Sequence, residues 1–217
     1  MRWRYTARFV CVALGWWCLI VSTARVDAHS GQLGAVARVR VWTFMTGGID
    51  PAVRDRSTPV ADALLENARV IVDWHPCDGR TVCTRGDVTA PSVNVILTSA
   101  ARSTCGVTAF EPDGRSATVI ISVPCVAGKV LDFQRRQSLR SHPLVATLDV
   151  SHLLGAILAH EIGHVLGLKH AATGLMRARL EIDDVIALRQ GRLVFSPREA
   201  TLMQASHLCA HDSGRAP

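Results

Sequence analysis

The stretch "HEIGHVLGLKHAATGLM", His160 to Met176, places three histidines, one glutamate, three glycines and one methionine close together. On an α-helix, residues four apart lie about 40° apart around the axis and roughly 6 Å apart along it, so His160 and His164 face the same way. Two neutral imidazoles converging from one helical face suit a zinc ion. Glu161 follows its histidine directly and so stands beside such an ion rather than on it, where a carboxylate can take a proton from an attacking water. A tetrahedral ion needs a third protein ligand and leaves a fourth position open. His170 is six residues beyond His164, and a continuing helix would put it on another face and about two turns away. The chain must therefore leave the helix and turn back, and Gly167 is the residue able to take positive φ at that bend. The glycine and the third histidine explain each other.

The longer pattern "HEIGHVLGLKH" resembles that of the metzincin zinc peptidases, "HExxHxxGxxH". The methionine of "TGLM", Met176, stands six residues after His170, where the family has a methionine-containing turn. So short an interval is most similar to the matrixin branch and its bacterial relatives. The resemblance implies an α+β metzincin-like catalytic domain with a twisted, mixed five-stranded sheet, an active-site helix, a Met-turn and a C-terminal helix. It implies one catalytic zinc ion on His160, His164 and His170, with Glu161 as general base and Met176 under the metal. Three departures accompany it. The single tyrosine is Tyr5, so no tyrosine follows Met176 as an extra donor. The Pro and Tyr wall motif of the vertebrate matrixins is replaced by "MRARLEID". No cysteine-bearing latency segment is read between residue 28 and the first strand.

Outward from this stretch, the preceding "VSHLLGAILA" is apolar at helical spacing through Leu153 and Ile157, and continues through Ile162, Val165 and Leu166 as a mostly buried helix. Upstream, "AVARVRVWTF" (35–44), "RVIVDW" (69–74), "SVNVILT" (92–98), "CGVTAF" (105–110) and "SATVIISV" (116–123) read as strands. "STPVADALLENA", from Ser57, reads as a helix with Ser57 or Thr58 as cap and Pro59 in its first turn. "PCVAGKVLDFQRRQSLRSHP" (124–143) reads as a loop. "RLEIDDVIALRQGRLVF" is ambiguous, and "SPREATLMQASHLC" is a helix capped by Ser196, with Pro197 at its first position and Glu199 completing a capping box. "EPDGR" is a turn; "GVTAFEPDG" could offer carbonyls and Asp113 to a structural calcium, but the turn is the preferred reading.

The N-terminus reads differently. "MRWRYTAR" is basic, "FVCVALGWWCLIV" is apolar, and "STARVDA" ends in small residues, which is the order of a secretory signal. The apolar run, Phe9 to Val21, is short for a membrane span of ~20 residues, although a retained anchor is the alternative. Cleavage after Ala28 is expected, giving a signal at 1–28, a single peptidase domain at 29–217, and a secreted or periplasmic location. The whole chain carries 24 basic and 18 acidic residues, net +6; without 1–28 the counts are 20 and 17, net +3. So modest an excess, with "RRQSLR" its densest patch, does not point to nucleic acid. No nucleic acid, no membrane after signal cleavage, and a monomer are expected.

Cysteines 77, 83, 105, 125 and 209 remain after the signal, and no Cys-x-x-Cys pair is present. In an exported chain the short-loop pairings Cys77–Cys83 and Cys105–Cys125 are expected, with Cys209 free. His152, eight residues before His160, reads as a hydrogen-bonded helix histidine; His75, His142, His207 and His211 have no ligand-like spacing. The expectation is a secreted zinc-dependent endopeptidase taking a protein or peptide in extended form along an edge strand at 105–110. Two alternatives stand beside it: a zinc-binding hydrolase of a non-peptide or very narrow substrate, and a non-catalytic zinc-containing binding module. Glu161 argues against the last, since a structural site has no use for a base.

Overall fold

Alternation of Val and Ile with polar residues sets one face of a sheet into a core, and the chain builds five strands this way. A computed structural model describes residues 36–77, 83, 92–112, 116–137 and 142–206, all within one compact unit that begins at Val36. The segment at 1–28, Asp113 and Cys209 lie outside the described residues. The strands are β1 (Ala37–Thr46), β2 (Val70–Cys77), β3 (Ser92–Thr98), β4 (Gly106–Phe110) and β5 (Ser116–Ser122), in the sheet order β2-β1-β3-β5-β4. Four of them run parallel, and β4 alone pairs antiparallel, with β5, at one edge. The sheet is mixed and the architecture is α+β.

Val39, Val41, Val93, Val95, Leu97, Val119 and Ile121 fill the buried face. Helices cover it: α1 (Pro51–Glu66), α2 (Val123–Gln137), the single turn α3 (Pro143–Ala146), α4 (Val150–Val165), α5 (Ile182–Arg189) and α6 (Pro197–Gln204). Helix α4 is the central one. Leu153, Leu154, Leu158, Ile162 and Val165 are all buried, and it packs on α1 as well as on α2 and β4. Among the described residues no helix is long and apolar enough to cross a membrane.

Two helices differ from the expectation. Helix α1 begins at Pro51, not near Ser57. Asp50 caps it, accepting from the Ala52 N–H at 2.9 Å, and Pro51 takes the first position, where a missing donor costs nothing. Pro59 therefore lies inside the helix, and the buried Ser57 hydroxyl donates to the Val53 carbonyl at 2.6 Å. The segment read as a loop from residue 124 is helical through Gln137. Val126, Val130 and Phe133 recur at helical spacing and are buried, and Pro124 sits in the first turn, where a proline begins a helix as readily as it breaks one.

Elsewhere the caps match the reading. The Ser196 hydroxyl accepts from the Glu199 N–H at 3.3 Å, and the Glu199 carboxylate accepts from the Ser196 N–H at 2.7 Å. Helix α5 resolves the ambiguous segment through a second capping box between Glu181 and Asp184. Both expected disulfides are present, Cys77–Cys83 and Cys105–Cys125. The second closes the outer ends of the β4–β5 hairpin, where the Ser122 N–H also donates to the Cys105 carbonyl at 2.9 Å. Cys125 lies in the first turn of α2, so the bridge fastens that helix to the start of β4.

Candidate metal centre

Helix α4 ends at Val165 in a sharp reversal. Gly167 has φ +90°, the Leu168 N–H donates to the Gly163 carbonyl at 2.9 Å, and the Gly167 N–H donates to the His164 carbonyl at 3.0 Å. This is the Schellman pattern of helix termination, with glycine at the left-handed position. The reversal returns the chain along the helix and brings His170 to the face that carries His160 and His164. One ring nitrogen from each of the three lies within 4.8 Å of the other two. His164 Nε2 stands 3.0 Å from His160 Nε2 and 3.1 Å from His170 Nε2.

The returning loop also orients the rings it meets. His160 Nδ1 faces the Leu175 carbonyl at 2.8 Å, and His164 Nδ1 faces the Leu168 carbonyl at 2.8 Å. A carbonyl oxygen only accepts, so in each neutral imidazole the proton sits on Nδ1 and the Nε2 lone pair points inward. Burial holds the His160 pKa below its ordinary value, and His164 and His170 lower it further, which favours the neutral ligand form. Lone pairs converging at about 3 Å repel unless a cation lies among them. The spacing also approximates the edge of a tetrahedron built on Zn–N bonds of ~2.0–2.1 Å. The donor set fits zinc.

Met176 is wholly buried, and a Cβ added at Gly163 would lie 2.7 Å from its sulfur. The thioether thus rests on the backbone of α4 between the two helical histidines. A hydrogen bond from the Ala171 N–H to the Met176 carbonyl, 2.8 Å, closes the loop that carries His170.

Glu161 is buried, and β4 is what it packs against. The Thr108 hydroxyl donates to Glu161 Oε2 at 2.6 Å, and a Cβ added at Gly106 would fall 2.3 Å from Oε1. Gly106 and Thr108 are two apart on a strand, so they share a face: one leaves room for the carboxylate and the other holds it. Neither residue carries a local signal that would have singled it out, because the partnership exists only once β4 lies across α4.

A cleft of about 810 Å³ opens beside the cluster and reaches His160, Glu161 and His170. Phe133, Leu153, Ile157, Leu180 and Ile182 supply its apolar surface, and Lys129, Asp132 and Arg136 of α2 line it as well. One wall is "RARLEI", residues 177–182, the stretch that stands where the Pro and Tyr motif was missing. Arg177 fixes that wall, bonding Asp184 Oδ2 at 3.0 Å and pairing with Glu181 at 3.4 Å. The same Asp184 oxygen accepts from the Glu181 N–H, which ties the wall to the start of α5.

The remaining candidates fall outside the cluster. His152 Nδ1 lies 2.7 Å from Asp149, the cap of α4, and its other nitrogen meets Arg189, as a hydrogen-bonded helix histidine does. His75 stacks on Trp42, and His142 precedes α3.

No protein-family model matches the chain, and no curated protein matches it. Among solved structures it is similar to archaemetzincin from Methanopyrus kandleri, at 18% identity and TM-score 0.41, covering 79% of this chain and 96% of that one. It is also similar to metalloproteinase-II from Bacteroides fragilis, at 13% identity and TM-score 0.45, again over 79% of this chain but only 54% of the other.

Proposed function

We propose that this chain is an exported zinc-dependent endopeptidase of the metzincin kind. The observation that carries the reading is the joint one at α4: three imidazole Nε2 atoms converge, and the adjacent Glu161 carboxylate borders an open cleft. His160, His164 and His170 would hold the ion, and a site with three protein ligands keeps a position open for chemistry. Zinc bound there supplies Lewis acidity to the attacking water and to the carbonyl of the bond to be cut.

The protein's own groups do the rest. Thr108 holds Oε2 of Glu161, which leaves the other carboxylate lone pairs to take the proton of the attacking water and then pass it to the departing amine. Among the described residues strand β4 is paired on one side only, and its other edge can accept an extended peptide as a further strand. Such main-chain pairing favours peptides over small esters. Assignment to the matrixin branch rests on the six-residue interval from His170 to Met176, and export rests on the signal-like order of residues 1–28.

Zinc-loaded protein, incubated with a complex peptide library read by mass spectrometry, tests the reading beside a Glu161→Ala variant. Cleavage by the parent that disappears in the variant, with both holding one zinc, supports it. Zinc binding without cleavage by either would move the assignment to a narrow substrate or a binding role.

A further inference from the structure

The cleft beside Glu161 has an uneven charge. Four of its lining side chains are basic, Lys129, Arg136, Arg177 and Arg179, against two acidic ones besides Glu161, namely Asp132 and Glu181. These charges are not distributed alike. Arg177 and Glu181 satisfy each other, and Asp184 takes a second bond from Arg177, so that group is spent on holding the wall. Lys129, Arg136 and Arg179 form no ion pair with any other described residue. Asp132 is the one remaining acid. It lies on α2 between Lys129 and Arg136, three residues after one and four before the other, so all three share a helical face.

The same cleft is lined by the apolar side chains of Phe133, Leu153 and Leu180. An apolar side chain can be seated in the cleft while its neighbours in the chain meet the cations that line it, Lys129 and Arg136 of α2 and Arg179. We propose that the cleft selects a substrate segment in which an apolar side chain lies within a residue or two of a carboxylate. The selectivity rests on the peptidase reading and deepens it. The carboxylate has two sources, an Asp or Glu side chain or the substrate's own C-terminus. Recognition is by long flexible cations at the surface, Arg136 and Arg179 being exposed and Lys129 half-buried. The preference is therefore salt-sensitive, with each cation contributing about two- to fivefold.

Four fluorescent peptides of one sequence test it, with Leu-Glu or Leu-Gln as the last two residues, each ending in a free acid or an amide. Their affinities for the zinc-loaded Glu161→Gln variant are read by anisotropy at low and high salt, and their turnover is measured with the parent. The expected result is binding about tenfold tighter for one carboxylate-bearing arm, falling toward parity at about 1 M salt. The Glu arm or the free-acid arm tells which source is read. The preference should vanish in a Lys129→Gln, Arg136→Gln, Arg179→Gln triple variant that still binds the Gln-amide peptide, with a thermal melt reporting its fold. Arg179→Glu alone should reverse part of the preference. Equal binding of all four peptides, absence of binding, or a preference that survives the triple variant overturns the proposal. If the parent cuts neither these peptides nor the complex library yet the Glu161→Gln protein still sorts them by charge, the peptidase reading fails and the carboxylate site stands. If the parent cuts all four at equal rates, the reverse holds.

Discussion

Helix α4 and strand β4 meet at Glu161, and they contribute to the site in different ways. Helix α4 supplies its groups through spacing: His160, Glu161 and His164 lie within one turn and a little more, and the reversal at Gly167 adds His170. Strand β4 supplies none of the proposed reacting groups. Its part is a missing side chain at Gly106 and one hydroxyl at Thr108, both aimed at a residue more than fifty positions away. One region specifies the proposed ligands, while the other fixes the geometry of the proposed base. The difference teaches that a set of candidate metal ligands can be complete within one helix and its turn while the neighbouring carboxylate is held by a strand that supplies no ligand. Variants on each side should therefore fail differently, with changes to the three histidines reading out in zinc and β4 changes in turnover at full zinc occupancy.

The largest effects belong to α4. His164→Ala removes the middle nitrogen, the one within 3.1 Å of both others, and should abolish tight zinc binding and activity together; metal titration checks it. Glu161→Gln should keep shape and zinc while removing the proposed base, and kcat should fall by ~10²–10⁴-fold. Loss of zinc in the second variant would break the division between ligand and base.

Gly106→Ala comes next and tests β4 directly. The new methyl would meet Glu161 Oε1 at 2.3 Å and Cδ at 2.8 Å, so the carboxylate must move. A displacement of ~1 Å at a reacting group can cost about 10²-fold. Zinc stoichiometry should not change. Parental kcat in the Gly106→Ala variant would show that the carboxylate works from a position other than the one against β4. Thr108→Val deletes only the hydroxyl and keeps the volume. A hydrogen bond to a charged group contributes ~1.5–3 kcal/mol, and with the carboxylate still free to stay in place the lower end is expected, a fall in kcat of roughly tenfold, smaller than that for Gly106→Ala.

The same contrast explains what the sequence discloses. The strands are legible because Val and Ile runs bury one face wherever they pair. The metal cluster is legible because helical geometry and one glycine convert spacing into position. Helix α2 is not legible as a helix. Pro124 and Gly128 look like breakers, and the buried stripe of Val126, Val130 and Phe133 has meaning only against a core supplied by other segments. The start of α1 is hidden for a similar reason: Asp50-Pro51 follows two glycines and reads as the end of a turn, although Asp-Pro is equally a cap and first position. Gly106, Thr108 and the Arg177–Asp184 wall are invisible because each acts through contacts that local sequence does not announce.

The smallest effect returns to α4, at the end away from the metal. Asp149 accepts from the His152 N–H at 3.0 Å and from His152 Nδ1 at 2.7 Å, so one carboxylate both caps the helix and fixes a ring. Burial pushes its pKa up, but the His152 bonds outweigh that and hold it below its ordinary value. A carboxyl whose pKa is lower in the folded state stabilises the fold at pH above its unfolded value, and that stabilisation is lost as pH falls through the folded one. Asp149→Ala should therefore cost about 1 kcal/mol near neutral pH, the usual loss for an N-cap, and its melting temperature should converge on the parent's in strong acid. Zinc affinity and kcat should stay parental, because the cap is about three helical turns from His160. If they fall as well, the helix transmits its frayed start to the metal, and the separation between ligands set by local spacing and geometry set from afar would no longer hold even within α4.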